Sequence, residues 1–267
     1  MPSTERAILD THIHLWPSTA VSPTDHGWMS AGHTLARRHG ISDYSNATTW
    51  SSPVVQPKAF IYLETDRYLP SPEPDIGESV PEALKTWAKA PLNELKFLRR
   101  IVEETPQSGD GFVLGGDGDG DGDGDDDDGP RMAGCVIWAP FHLSTALFNA
   151  YLEIAEQVAG PQLWAKVVGF RYLLQGKGSS AVQQLVRSEQ WLANLLVLRH
   201  GRKGRGWSFD IGVDAHRDGV EVVGYVADMV ERLRALENEK PTGRGVRFVL
   251  GGFLSLSLSL SITTTLN

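Results

Sequence analysis

The sequence predicts an α/β protein whose parallel sheet is covered by helices, in one barrel-type domain. Three observations carry that expectation. Six short apolar runs, rich in β-branched and aromatic residues, are bounded by turn formers. Segments of helical periodicity lie between them, the alternation expected of a parallel sheet with helical cover. The 267 residues also match one α/β barrel of roughly 250 residues.

The strand-like runs are residues 7–15 (AILDTHIHL), 58–66 (KAFIYLETD), 133–141 (AGCVIWAPF), 167–175 (VVGFRYLLQ), 207–214 (WSFDIGVD) and 246–250 (VRFVL). Of the helical segments, residues 91–104 place Leu92, Leu95, Leu98 and Val102 at three- and four-residue steps. Residues 144–159 repeat the pattern with Leu147, Tyr151, Ile154 and Val158, and residues 181–198 and 220–237 follow the same rule. Six strands are counted where a closed barrel takes eight.

Two segments break the pattern. Residues 109–129 form a Gly/Asp tract too polar to offset its ordering entropy, and are expected to be a disordered insertion. Asp117, Asp119, Asp121, Gly122 and Asp128 match part of a calcium-loop spacing, as any alternating Asp-Gly repeat does. The bidentate Glu at the twelfth position is lacking, so no calcium site is expected. Residues 251–267 (GGFLSLSLSLSITTTLN) alternate Leu and Ser in the manner of translated simple-sequence DNA. The expected organisation is a domain over 1–250 and an aberrant tail over 251–267 that stands in place of further barrel strands.

Charge excludes some functions. Nine aspartates between Asp110 and Asp128 account for the net charge of -8, and the remainder carries 24 acidic against 25 basic residues. Nothing in that balance points to nucleic acid. No run approaches the roughly 18 uninterrupted apolar residues of a membrane span, and the first residues lack the basic, apolar, small order of a secretory signal. With Cys135 the single cysteine, an internal disulfide is impossible, and the cytoplasm is the expected compartment.

The chemistry begins at Asp10-Thr11-His12-Ile13-His14. Alternate side chains of a strand share a face, so Asp10, His12 and His14 are expected to project together. Two imidazoles at a strand end suit one divalent metal, zinc foremost.

ILDTHIHLWP on the first strand, FIYLETDRYL on the second, GCVIWAPF on the third, VVGFRYLLQ on the fourth and WSFDIGVDAHRDG on the fifth together resemble the amidohydrolase-related family, in particular its lactonase-like branch. The resemblance implies a (β/α)8 barrel with the site at the C-terminal strand ends. It also implies hydrolysis of lactones or related C–O and C–N bonds, with decarboxylation in some branches. By position, His12 and His14 match histidines that bind metal or polarise the substrate carbonyl, though the lactonase branch often holds metal weakly or not at all. Arg171 matches an arginine whose fork grips a carboxylate or lactone oxygen, with a salt bridge at the barrel bottom as the alternative. His216 lies where a loop residue reaches the site, or is simply a solvated histidine. Glu64 points to the same region, and Trp16 and Trp138 are read as barrel packing or pocket wall. The expected substrate is a small lactone or carboxylate-bearing molecule. The family's general base, an aspartate ending the eighth strand, has no counterpart in the sequence, so little activity and poor solubility are expected of this chain.

Overall fold

The computed structural model describes residues 7–51, 57–112, 130–239 and 244–250. Residues 113–129 of the expected 109–129 insertion, and the Leu/Ser tail from residue 251, lie outside the described residues, whereas Asp110 at the start of that insertion is buried and paired with Arg100.

All six expected strands form. They are β1 (Ile8–Ile13), β2 (Pro57–Leu63), β3 (Arg131–Trp138), β4 (Val167–Arg171), β5 (Ser208–Ile211) and β6 (Arg247–Leu250). They line up in sequence order, every neighbouring pair parallel, in one sheet curled into a half-barrel. Each crossover carries helix: α1 (Ile41–Ser51), then α2 (Val80–Trp87) and α3 (Lys89–Val102), α4 (Thr145–Lys166), α5 (Ser179–Arg187) with α6 (Glu189–Val197), and α7 (Ala215–Asp218) with α8 (Glu221–Glu239). Parallel strands covered on a face by helices are buried along their length, which is why β5 is buried at every residue. One continuous core runs from Phe60 and Ile137 through Phe170 and Phe209, packed against Leu95, Tyr151, Trp191 and Met229 of the helices.

The helices follow their apolar spacing. In α3, Leu92, Leu95, Leu98 and Ile101 are buried, and in α8 Val222, Val226, Met229 and Leu233 form the inward stripe. The single helix expected over residues 181–198 is instead two. Ser188 is extended (φ -68°, ψ 140°), and its hydroxyl accepts from the Trp191 amide, so it ends α5 and caps α6. Three helices, α1, α2 and α7, lie outside the expected helical segments. One of them, α2, carries a legible start: Ser79 accepts from the Glu82 amide, and Pro81 lies in the first turn.

The sheet has two outer strands. Among the described residues β1 pairs with β2 alone and β6 with β5 alone. Ile8 and Leu9 on the first, and Val249 and Leu250 on the last, are exposed apolar side chains.

Within α4 the chain breaks at Gly160, ahead of Pro161, with φ 68° and ψ 169°. That conformation is open essentially to glycine alone, and an added Cβ would stand 3.0 Å from Arg99 Cζ. Gly160→Ala is therefore expected to cost about 1–3 kcal/mol, read as a lowered urea midpoint; an unchanged midpoint would contradict the assignment.

Candidate active site

His12 and His14 meet at the C-terminal end of β1. Their Nε2 atoms are 3.1 Å apart, and the rings stand edge to face at 84°. His14 Nδ1 is 3.0 Å from the carbonyl oxygen of Leu63, which can only accept, so Nδ1 carries the proton and Nε2 presents a lone pair to the His12 N–H. Asp10 does not join them. A register shift in β1 follows it, and its carboxylate accepts from the His12 amide and from Tyr44 Oη on α1.

Both imidazoles are held neutral. Burial pushes His14 down to about 4, against the pull of the Leu63 carbonyl, and the Arg171 charge adds to the effect. Burial and Arg171 lower His12 in the same way.

Arg171 ends β4, where the register sets it beside Asp210 of β5. Its Nε lies 3.5 Å from Glu64 Oε1, just beyond β2, and 3.4 Å from Asp210 Oδ1. All three side chains are buried, yet these three atoms lack a hydrogen-bond partner among the described residues. Burial raises Glu64 to about 8 and Asp210 to about 6, with Arg171 opposing both. At neutral pH Glu64 is thus largely a neutral acid. Gly212 makes room for the guanidinium, since a Cβ there would stand 2.6 Å from Arg171 Nη2.

The turn after β2 is the most constrained part of the site. Asp66 sits at φ 51°, in the left-handed region, and its amide donates to Glu64 Oε2 at 2.7 Å. One oxygen of Glu94, on α3, anchors the turn from behind. It accepts from Tyr62 Oη (2.7 Å), the Thr65 amide (3.1 Å), Thr65 Oγ1 (2.7 Å) and Arg67 Nε (3.2 Å).

These groups surround a cavity of about 430 Å³. His14, Glu64, Asp66 and Arg171 line its floor, Trp16 and Trp28 one wall, and Lys177 and Arg217 another part of the rim. Trp28 Nε1 donates to the Thr65 carbonyl, tying the long loop after β1 to the turn after β2. Of the two tryptophans read from sequence, Trp16 lines this cavity while Trp138 packs against Trp87 and Tyr151 in the core.

The structure thus brings His12, His14, Glu64 and Arg171 into one neighbourhood at the C-terminal strand ends, rather than placing Arg171 at the barrel bottom. His216 is exposed in the first turn of α7, outside the cavity wall, and its neighbour Arg217 faces the cavity instead. Asp66, Asp210, Lys177 and Arg217 were not singled out from sequence. The Asp66 signal lay within ETDR, directly after a strand, while Lys177 and Arg217 belong to loops whose paths no periodicity reveals.

No family model matches the chain, and neither a curated protein nor a solved structure matches it. A catalytic zinc takes three protein ligands and an open position. Among the described residues His12 and His14 are not joined by a third His, Cys, Asp or Glu in such a group, and the Arg171 charge faces both. The described set supplies two ligands and does not by itself complete a zinc site.

The two shifts act oppositely on stability. Glu64 is protonated in the fold and ionised in the unfolded chain between 4.5 and about 8, so stability falls as pH rises through that window. Glu64→Gln is expected to remove that loss, at most roughly 1.4 kcal/mol per pH unit, in thermal melts from pH 6 to 9; an undiminished alkaline fall would refute it. His14 instead stays neutral in the fold while the unfolded chain protonates from 6.5 down, so its contribution is lost as pH falls toward about 4. Its ring proton resonances should show no transition between pH 8 and pH 5.5, whereas a midpoint near 6.5 would contradict the neutral pair.

Proposed function

We propose that the site hydrolyses a small lactone or related ester bearing a carboxylate, as the resemblance to lactonase-like amidohydrolase-related proteins implies. The supporting observation is the convergence of His14, Glu64, Asp66 and Arg171 from the C-terminal ends of β1, β2 and β4 on one cavity, with His12 in contact with His14 behind them. Parallel α/β folds bind small molecules at that end of the sheet.

The roles follow from charge and proton state. The Arg171 guanidinium is the donor suited to the carbonyl oxygen as it gains negative charge, while His14, its Nδ1–H held by the Leu63 carbonyl and its Nε2 turned to His12, keeps the neighbouring wall neutral. Asp66, whose carboxyl is raised by burial, is suited to take a proton from the attacking water. Glu64 holds a proton at neutral pH and is suited to give it to the departing alkoxide. Water oxygen then bonds to the carbonyl carbon, the ring C–O bond breaks, and the products are the free hydroxyl and carboxylic acid. Asp66 takes the place of the late aspartate that the resemblance leads one to look for.

Decarboxylation of a carboxylate gripped by Arg171 is the rival reading within the same barrel class, favoured by the excess of cations around the cavity. Aldonolactones and aromatic acids assayed side by side separate the two. The expected result is lactone opening that falls roughly 100-fold or more in Glu64→Gln and in Arg171→Met. A folded protein that opens no lactone, or variants that match the parent, would dismiss the hydrolase reading.

A further inference from the structure

The rim of the cavity carries more positive charge than the carbonyl chemistry needs. Besides Arg171, the ammonium of Lys177 and the guanidinium of Arg217 line it. Neither makes an ion pair with a carboxylate among the described residues. Asp66 is the carboxylate facing them, and Arg171 draws on the same group.

The loop that carries Lys177 is held in place. The loop from Leu173 to Gly178 is clamped by Asp218 at the end of α7, whose buried carboxylate accepts from the Gly176 amide at 2.8 Å and the Gly178 amide at 3.0 Å. The Leu174 and Gln175 amides are tied to the Gly212 carbonyl. Lys177 lies between the two clamped amides, its Nζ 4.8 Å from the centre of the Tyr172 ring. Arg217 precedes Asp218 and its guanidinium lies beside Gly176, where an added Cβ would come within 2.9 Å of its Cζ. Gly176 itself has φ 82°. Two cationic side chains at one cavity edge with no carboxylate paired to either are a set of donors that an anionic ligand would complete.

We infer that Lys177 and Arg217 form a subsite for a second anionic oxygen group, a carboxylate or a phosphate, remote from the reacting carbonyl. The substrate of the proposed hydrolase is then a dianion, with one acidic group toward Arg171 and the other on the rim. This inference rests on the proposed function for its substrate but not for its test, which reads binding alone.

Trp16 and Trp28 line the same cavity, so their fluorescence reports occupancy. The full chain is titrated at low ionic strength with butyrate, glutarate and inorganic phosphate. The expected result is that glutarate or phosphate binds about tenfold or more tightly than butyrate. Tighter glutarate assigns the rim to carboxylate, and tighter phosphate assigns it to phosphate. In the Lys177→Gln, Arg217→Gln double variant, both positions being exposed, that preference should shrink to about one. Equal affinity for all three probes, or a preference that survives the double variant, overturns the subsite. Loss of the preference with no lactone turnover would sink the hydrolase reading and leave the subsite standing. Turnover of a neutral lactone by a protein without the preference would do the reverse.

Discussion

The site depends on how one buried oxygen of Glu94 is satisfied. A carboxylate this enclosed is costly unless its charge is met by donors, and here four come to the same atom: two from Thr65, one from Tyr62 and one from Arg67. Three of those residues follow or end β2, whereas Glu94 belongs to α3. The interaction therefore sets the angle at which the chain leaves the sheet. Everything that leaves with it is functional in the proposal, since Glu64 and Asp66 flank Thr65. Removing the carboxylate would strand a buried guanidinium, so this contact is not free to vary while the turn keeps its shape.

A second constraint is the disposition of charge around Arg171. One guanidinium stands near two buried carboxyls, Glu64 and Asp210, without a well-aligned hydrogen bond to either. The same charge helps keep His12 and His14 neutral. Neutral imidazoles, a protonated Glu64 and an unsatisfied arginine form a site in which added negative charge is favoured and added positive charge is not. That electrostatic bias follows from four residues on three strands, and it is independent of which anion occupies the cavity.

Much of the fold was legible because periodicity is a property of neighbouring residues. The six strands and the apolar faces of α3 and α8 follow directly from spacing. The break at Ser188 was not read, because a serine capping its own downstream turn looks like any polar residue on a helix surface. In the site, His12 and His14 were legible as a pair, since two residues apart on a strand is a local relation. Asp10 satisfied the same spacing and still turned away, because a β1 register shift intervenes and Tyr44, more than thirty residues on, claims its carboxylate. Asp210 could be recognised only once β4 and β5 were set in register, which pairs it with Arg171. Lys177 and Arg217 meet through Asp218, a contact across some forty residues that no local pattern encodes.

The position of β1 in the sheet has a bearing on how the site behaves over time. Among the described residues this strand is hydrogen-bonded on one side only, and it carries His12 and runs directly into His14. Segments with few partners open locally at a free energy well below that of global unfolding. The imidazole pair thus belongs to one of the two outer edges of the sheet, while Arg171 and Asp210 belong to strands with a neighbour on either side. Amide exchange along β1 would then run ahead of exchange in β4 and β5. The imidazole pair would then part from the cavity in a molecule whose helices, core and far side of the cavity are still intact.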